Sequence, residues 1–510
     1  MPTLFDAVAA YAGADPDRLA ILTEEDGTRT YGELAATAAA LAGALANFGI
    51  NEGDRLCLWS ENLPQWIEMF VAAAAAGCVP VPANPQWTDN ELEFVLRHSE
   101  ARLLACQSHL VSRAVAIASR VDSICQVIAL DEATEVPTVR QLAETFAGTG
   151  GARASSAAGA ILYTSGTTSG APKAVRIDAK MLAGGGISYQ DMFGLTASDR
   201  AMVVTPFFHG NGMGGALSAL GAGASVVFPR RFSARSFWPL VDRYRPTYFF
   251  TLVPIVNILL SLPERPFDKR HGMRVWIVLG SSPICATIER RYGVPVIDWY
   301  AMTECGQGTF TRLDEERRPG SAGRVFPGSD MRILLEDGTE ANPGEVGEVV
   351  FRRSTLGFDG YLGNPEATSE VLRGDWFHTG DMGYFDEDGY FFFVDRKKDI
   401  VRRGGENISS MEVEGVLREH PDVADAAVVG APDPVLGERV AAFITVSEGR
   451  PPPDTSALQD FAAQYLAPFK VPEQIVILDD LPRTMNGKVE KFRLREQLAG
   501  TPTAHASTGA

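Results

Sequence analysis

Ala160-Ile161-Leu162-Tyr163 runs straight into Thr164-Ser165-Gly166-Thr167-Thr168-Ser169-Gly170-Ala171-Pro172-Lys173. The first four residues read as a buried strand that presents a loop. From Thr164 to Gly170 every residue carries a hydroxyl or no side chain. Backbone N–H groups and hydroxyls can therefore close around an anion with nothing bulky in the way. Pro172 stiffens the exit, and Lys173 adds a compact cation suited to phosphate. A flexible surface linker would need neither the strand before it nor the lysine after it. No Gly-Lys-Ser/Thr ends the stretch, so it is not a Walker loop but a phosphate loop of another design.

Upstream, helix and strand patterns alternate. Thr30 caps a helix over Tyr31 to Phe48 that Gly49 ends. Arg55 to Trp59 reads as a strand, Asn62 to Ala76 as a helix, and Gly77 to Pro82 as a short strand. Such βα alternation predicts layered sheets with helices on their faces. The Gly/Ala/Ser-rich run Gly148 to Gly159 reads as an exposed linker into the loop. Downstream of Gly323 the texture becomes β-type, with Val349-Val350-Phe351, Tyr384-Phe385 and Tyr390-Phe391-Phe392-Phe393-Val394. Asp386-Glu387-Asp388-Gly389 is a turn between two of these runs. After the charged run Asp395-Arg396-Lys397-Lys398-Asp399, a new βα pattern starts at Ile408, with a helix near Met411 to Glu419. A domain boundary is placed at about 395–400, and the small polar segment 500–510 reads as a disordered tail.

With 510 residues the chain is too long for a single core. A net charge of −18 argues against sequence-independent binding to nucleic acid or anionic lipid. The 6 cysteines show no Cys-x-x-Cys pair, which fits reduced thiols and a cytoplasmic location. No basic segment followed by an apolar run stands at the N-terminus, so no secretory signal is expected. The apolar stretch Met69 to Val81 is too short to span a bilayer and reads as a buried helix.

The loop is followed, in order, by Trp299-Tyr300-Ala301-Met302-Thr303-Glu304, Thr379-Gly380-Asp381, Asp395-Arg396-Lys397-Lys398-Asp399 and Pro482-Arg483-Thr484-Met485-Asn486-Gly487-Lys488. Five such motifs in this order resemble the adenylate-forming superfamily of acyl-CoA synthetases, luciferases and adenylation domains, over nearly the whole chain. The resemblance implies a large α/β N-terminal domain of layered sheets and helices over 1–395. It also implies a hinge at 396–399 and a small α+β C-terminal lid over 400–499. The implied reaction is attack of a carboxylate on the α-phosphorus of ATP, giving acyl-AMP and pyrophosphate, then transfer of the acyl group to CoA. Because the first step brings anions together, fixed positive charge and dipoles must offset their repulsion.

By resemblance, Thr164, Ser165, Gly166, Thr167, Thr168, Ser169, Gly170 and Lys173 hold the β- and γ-phosphates. Glu304 holds Mg²⁺, a hard cation that takes carboxylate and phosphate oxygens. Thr303 bonds the α-phosphate, Tyr300 stacks on adenine, and Gly280-Ser281-Ser282-Pro283 form the wall beside it. Asp381 accepts from the ribose hydroxyls, and Arg396 reaches ribose or phosphate. Lys488 matches the lysine that bridges carboxylate and α-phosphate. Lys398 matches the hinge position, about which the lid rotates after adenylation so that Gly404, Gly405 and Glu406 approach the acceptor.

Phe207-Phe208-His209 resembles the family's carboxylate-site segment, with His209 lining the channel between acyl group and thiol; a buried, hydrogen-bonded histidine is the plain alternative. The glycines after His209, and Gly184-Gly185-Gly186, hint at a roomy pocket for an aryl or extended acyl group, with close helix packing as the equal alternative. Gly210-Asn211-Gly212-Met213-Gly214-Gly215 also spells Gly-x-Gly-x-x-Gly, and Arg230 and Arg231 follow, so an NADP-dependent reductase is a second class of reading. A lone match is weak and leaves the five other motifs unexplained. Within adenylation, a carrier protein or an amine is an alternative acceptor, including nitrite activation for diazotisation in secondary metabolism. Oligomeric state is open, a homodimer included.

Overall fold

The computed structural model describes residues 3–149, 159–164, 172–178, 192–265, 268–280, 284–358, 360–404, 406–483 and 487–500. The expectations for residues 150–158 of the linker, 165–171 of the loop, Gly184-Gly185-Gly186, Ser281-Ser282-Pro283, Gly405, residues 484–486 and the tail 501–510 lie outside the described residues.

The chain forms two compact units: Met1–Asp330 with Phe351–Phe377, and Met331–Val350 with His378–Ala510. The sequence reading cuts once, near 395–400. Antiparallel pairing explains why residues just before that cut belong with the second unit. Trp376–Phe385 pairs with Phe391–Arg396, setting Asp381 opposite Arg396 and Tyr384 opposite Phe392. The turn expected between these strands is present. Asp386 Oδ1 accepts from the N–H groups of Asp388 (3.0 Å) and Tyr390 (2.9 Å), and Gly389 takes φ +80°, which suits glycine.

In the first unit, a sheet of nine described strands carries six parallel ones at its centre. These are Leu19–Leu22, Ser225–Val227, Arg200–Val203, Tyr248–Leu252, Val275–Leu279 and Val296–Met302. The remaining edge strands are antiparallel. Val275-Trp276-Ile277-Val278-Leu279 is apolar throughout because helices cover both faces of a parallel sheet. On one face Trp276, Phe249 and Val278 meet Phe237, Trp238, Ile288 and Tyr292 from the helices Ala234–Tyr244 and Cys285–Tyr292.

A second, all-parallel sheet orders Val79–Ala83, Arg55–Trp59, Ala101–Cys106 and Gln126–Ala129. The helix before its edge strand, Pro64–Ala76, is almost wholly buried and ends at Gly77 with φ +73°. It is the alanine-rich apolar segment of the sequence. Among the described residues no helix is long and apolar enough to cross a membrane.

In the second unit, Val423–Asp433 and Gly437–Val446 form a long hairpin, flanked by Val401–Arg403, Glu406–Ile408 and Gln474–Ile477. Strand alternation divides its core. Val428, Val440, Ala442 and Ile444 pack with Val413, Leu417 and Leu458. Ala427, Val429, Ala441 and Phe443 face the other way, onto Leu481 and Leu494.

Candidate functional site

Ala160–Thr164 is a strand, as expected, and Lys173–Ile177 pairs with it antiparallel to make a β-hairpin. Thr164 stands opposite Lys173 in register, and its Oγ1 donates to the Lys173 carbonyl at 3.3 Å. Gly159 has no room for a side chain, since a Cβ would sit 1.9 Å from the Ile177 carbonyl oxygen. The hairpin is anchored from outside: the Tyr163 hydroxyl lies 2.9 Å from His98 Nδ1, and Trp87 meets its ring edge-on. Burial raises the Tyr163 phenol well above its usual pKa, so this anchor is neutral.

Lys173 and Glu304 come together across Tyr361, a residue the motifs did not single out. The Lys173 ammonium lies 4.8 Å from the centroid of the Tyr361 ring. The Tyr361 hydroxyl donates to Glu304 Oε1 at 3.0 Å. No local pattern announces this, because Tyr361 is placed by pairing with Val175 in the hairpin.

Thr303 and Glu304 follow the parallel strand Val296–Met302, and Gly280 follows its neighbour Val275–Leu279 with φ +72°. Carboxyl ends of parallel strands are where open α/β sheets bind ligands. Tyr300, 8% exposed, lies nearly parallel to Phe351, at 6.4 Å between centroids and 11° between planes. Gly308 on the adjacent strand leaves room for that ring, since a Cβ there would lie 2.8 Å from Tyr300 Cδ1.

His209 stands at the N-terminal boundary of the helix Gly210–Gly221, and its N–H donates to the Pro206 carbonyl at 3.1 Å. Buried Asn62 holds this segment: Oδ1 accepts from the Phe207 N–H at 2.8 Å and Nδ2 donates to the Thr205 carbonyl at 3.1 Å. Asn62 was missed in the sequence, where it read only as the first residue of a helix that in fact begins at Pro64. Of the glycines after His209, Gly212 and Gly215 follow the alternative reading, close packing. A Cβ on Gly212 would lie 2.3 Å from the Pro206 carbonyl oxygen, and one on Gly215 3.2 Å from Phe250 Cγ. These glycines serve close packing. The same helix disposes of the dinucleotide reading, since the Gly-x-Gly-x-x-Gly run is helical rather than a strand-to-helix turn. Arg230 pairs with Asp26 at 2.9 Å and Arg231 with Glu61.

In the second unit, Asp381 is 1% exposed and its Oδ1 forms an ion pair with Arg396, 2.6 Å from Nε. Beside them Lys397 Nζ reaches buried Glu348 at 2.9 Å, and His378 Nδ1 lies 3.3 Å from the same carboxylate oxygen. Burial would raise the Glu348 carboxyl, but hydrogen bonds from Lys397 and His378 outweigh it and hold the group below its usual range.

Lys398 is exposed, and its carbonyl accepts from Arg495 at 3.0 Å. Buried Asp395 accepts from the Ser410 N–H at 2.6 Å, tying this charged run to the start of the helix Ser410–Arg418. Gly404 has φ +59° and donates its N–H to the Leu436 carbonyl at 2.8 Å; Glu406 is exposed. Lys488 is exposed and follows Gly487, whose φ is +77°. Arg483 and Val489 form an antiparallel bridge.

The AMP-binding enzyme family matches residues 8–362, and the AMP-binding enzyme C-terminal domain matches residues 412–488. An oxalate–CoA ligase of Arabidopsis thaliana is 35% identical over 493 residues, covering 93% of this chain and 95% of that one. A sulfoacetate–CoA ligase of Cupriavidus necator is 32% identical, covering 97% and 98%. The solved structure of ATP-bound MatB from Rhodopseudomonas palustris superposes with a TM-score of 0.86 at 30% identity, covering 97% of this chain and 98% of that one. The chain belongs to the AMP-binding enzyme family, within the adenylate-forming acid–CoA ligase superfamily.

Proposed function

We propose that this chain joins a small carboxylic acid to AMP at the expense of ATP, and then passes the acyl group to CoA. A carboxylate oxygen attacks the α-phosphorus, the bond to the β-phosphate bridge breaks, and pyrophosphate leaves. The CoA thiolate then adds to the acyl carbonyl, and AMP leaves with the electron pair of the broken anhydride bond. The observation that supports this reading most directly is the meeting of Lys173 and Glu304 across Tyr361. It sets a cation near a carboxylate, at the first residue of the strand Lys173–Ile177.

On this reading residues 164–170 and Lys173 hold the β- and γ-phosphates, Thr303 bonds the α-phosphate, and Tyr300 and Gly280 flank the adenine. Asp381 and Arg396 take the ribose side. Lys488 bridges the two reacting anions, and His209 lines the acyl channel. Lys398 is the hinge, and Gly404, Gly405 and Glu406 form the acceptor side. Among the described residues no three His, Cys, Asp or Glu side chains cluster as a metal cage. A lone Glu304 suits Mg²⁺, which takes one or two carboxylates and completes its shell from phosphate and water. Bound there, the ion would neutralise phosphate charge. The location is cytoplasmic on this reading.

Close packing at Gly212 and Gly215 removes one argument for a large acyl group, and the relatives' names point to short acids. A panel led by oxalate and sulfoacetate, with aryl and medium-chain acids behind them and nitrite with aromatic amines alongside, is scored for pyrophosphate release with and without CoA. Release of pyrophosphate and AMP with one acid, and a thioester only when CoA is present, is expected. ADP as the sole nucleotide product would refute adenylation, and turnover with an amine in place of CoA would move the acceptor.

A further inference from the structure

We infer that Tyr361 is a positioning residue that sets both the phosphate-loop lysine and the metal-binding carboxylate. This rests on the reading of Glu304 as the Mg²⁺ ligand. Tyr361 offers two different surfaces. Its ring face is electron-rich and attracts the Lys173 ammonium, 4.8 Å from the centroid. Its hydroxyl donates to Glu304 Oε1 at 3.0 Å, which fixes the carboxylate's rotation and leaves Oε2 to turn toward a cation. Each charge therefore has its own partner on one side chain.

Tyr361 is itself held on several sides. Its backbone pairs with Val175, the next residue's N–H donates to the Ala174 carbonyl at 2.9 Å, and its own N–H donates to Thr368 Oγ1 at 2.9 Å. Phe358 meets its ring at 5.1 Å and 68°, and only 8% of the residue is exposed. Its anchor on Ala174 and Val175 belongs to the strand that begins at Lys173. Movement of the hairpin thus carries the ring with the lysine. Groups behind a metal ligand orient it and raise its effectiveness.

The test measures Mn²⁺ affinity by paramagnetic resonance on the full chain with a non-hydrolysable ATP analogue, and binding of that analogue without metal. Tyr361→Phe keeps the ring and removes the donor. It should weaken Mn²⁺ binding about tenfold while leaving metal-free analogue binding and the melting temperature unchanged. Tyr361→Leu should weaken metal-free binding as well, because Lys173 loses its platform. Glu304→Gln is the control. If it weakens Mn²⁺ binding while Tyr361→Phe does not, the positioning role is refuted and the metal reading stands. If Glu304→Gln leaves Mn²⁺ binding unchanged, the metal reading falls and takes this inference with it. A Tyr361→Phe variant that loses only thermal stability shows a packing role and overturns the proposal.

Discussion

Single side chains differ in how openly the sequence displays them. Lys488 is announced by Gly487, whose φ of +77° produces the turn that exposes the lysine. Truncating it to alanine should lower acyl-AMP formation on the order of 100-fold, while thioester formation from supplied acyl-AMP is spared. Separate assays of the half-reactions read this, and equal loss in both would contradict the role. Asp381 and Arg396 each stand out in a sequence motif, but their direct pairing does not, because it depends on strand register. Glu348 carried no motif at all. Its carboxyl is held below the usual range in the fold, so the stability it contributes is present above the ordinary glutamate pKa. That stability is lost as pH falls through the lowered value. Glu348→Gln should cost about 1 kcal/mol at neutral pH, the half-exposed Lys397 keeping it small. The gap from the native chain should close below about pH 4. Melting curves across pH check this, and a gap independent of pH would show that charge is not its cause.

Helices and strands with local start and stop signals were readable almost to the residue. The helix Tyr31–Asn47 begins where Thr30 and Glu33 form a capping box, with Thr30 Oγ1 accepting from the Glu33 N–H at 3.1 Å. Arg55–Trp59 matches its apolar run because both faces of that strand are buried. The hydroxyl- and glycine-rich stretch was harder. Its preceding strand was plain, but Lys173 read only as a cation after the exit, and Lys173–Ile177 proved to be the partner strand. The helix Gly210–Gly221 was hardest, since glycine is a poor helix former and invites a turn reading. Close approach to Pro206 and Phe250 is what requires glycine there. Gly212→Ala should therefore destabilise the protein by about 1–3 kcal/mol through overpacking. It should also raise the KM for the acid, since the Pro206 carbonyl that must yield also accepts from His209. Unchanged melting and KM would show that the helix accommodates a methyl group.

Across the whole chain, two compact units and a match to both AMP-binding enzyme domains agree with the large and small domains implied by the motifs. The proposed hinge belongs to this level. Lys398→Pro fixes φ near −65°, and should leave pyrophosphate release intact while slowing thioester formation on the order of 100-fold through misplacement of the reacting groups. Rapid-quench assays of the two steps decide this, and normal overall turnover would remove the hinge. The sequence by itself determined the family, the reaction, the order of the motifs and the bounds of elements with clear local signals, such as Tyr31–Asn47 and Arg55–Trp59. Those come from side-chain chemistry and from periodicity over a few neighbouring residues. Only the tertiary structure decided that Tyr361 stands between Lys173 and Glu304, that Asn62 holds the segment leading to His209, and that Gly212 and Gly215 are closely packed. Each of these depends on residues far apart in the chain brought within a few ångströms by strand pairing and packing, which no local pattern encodes.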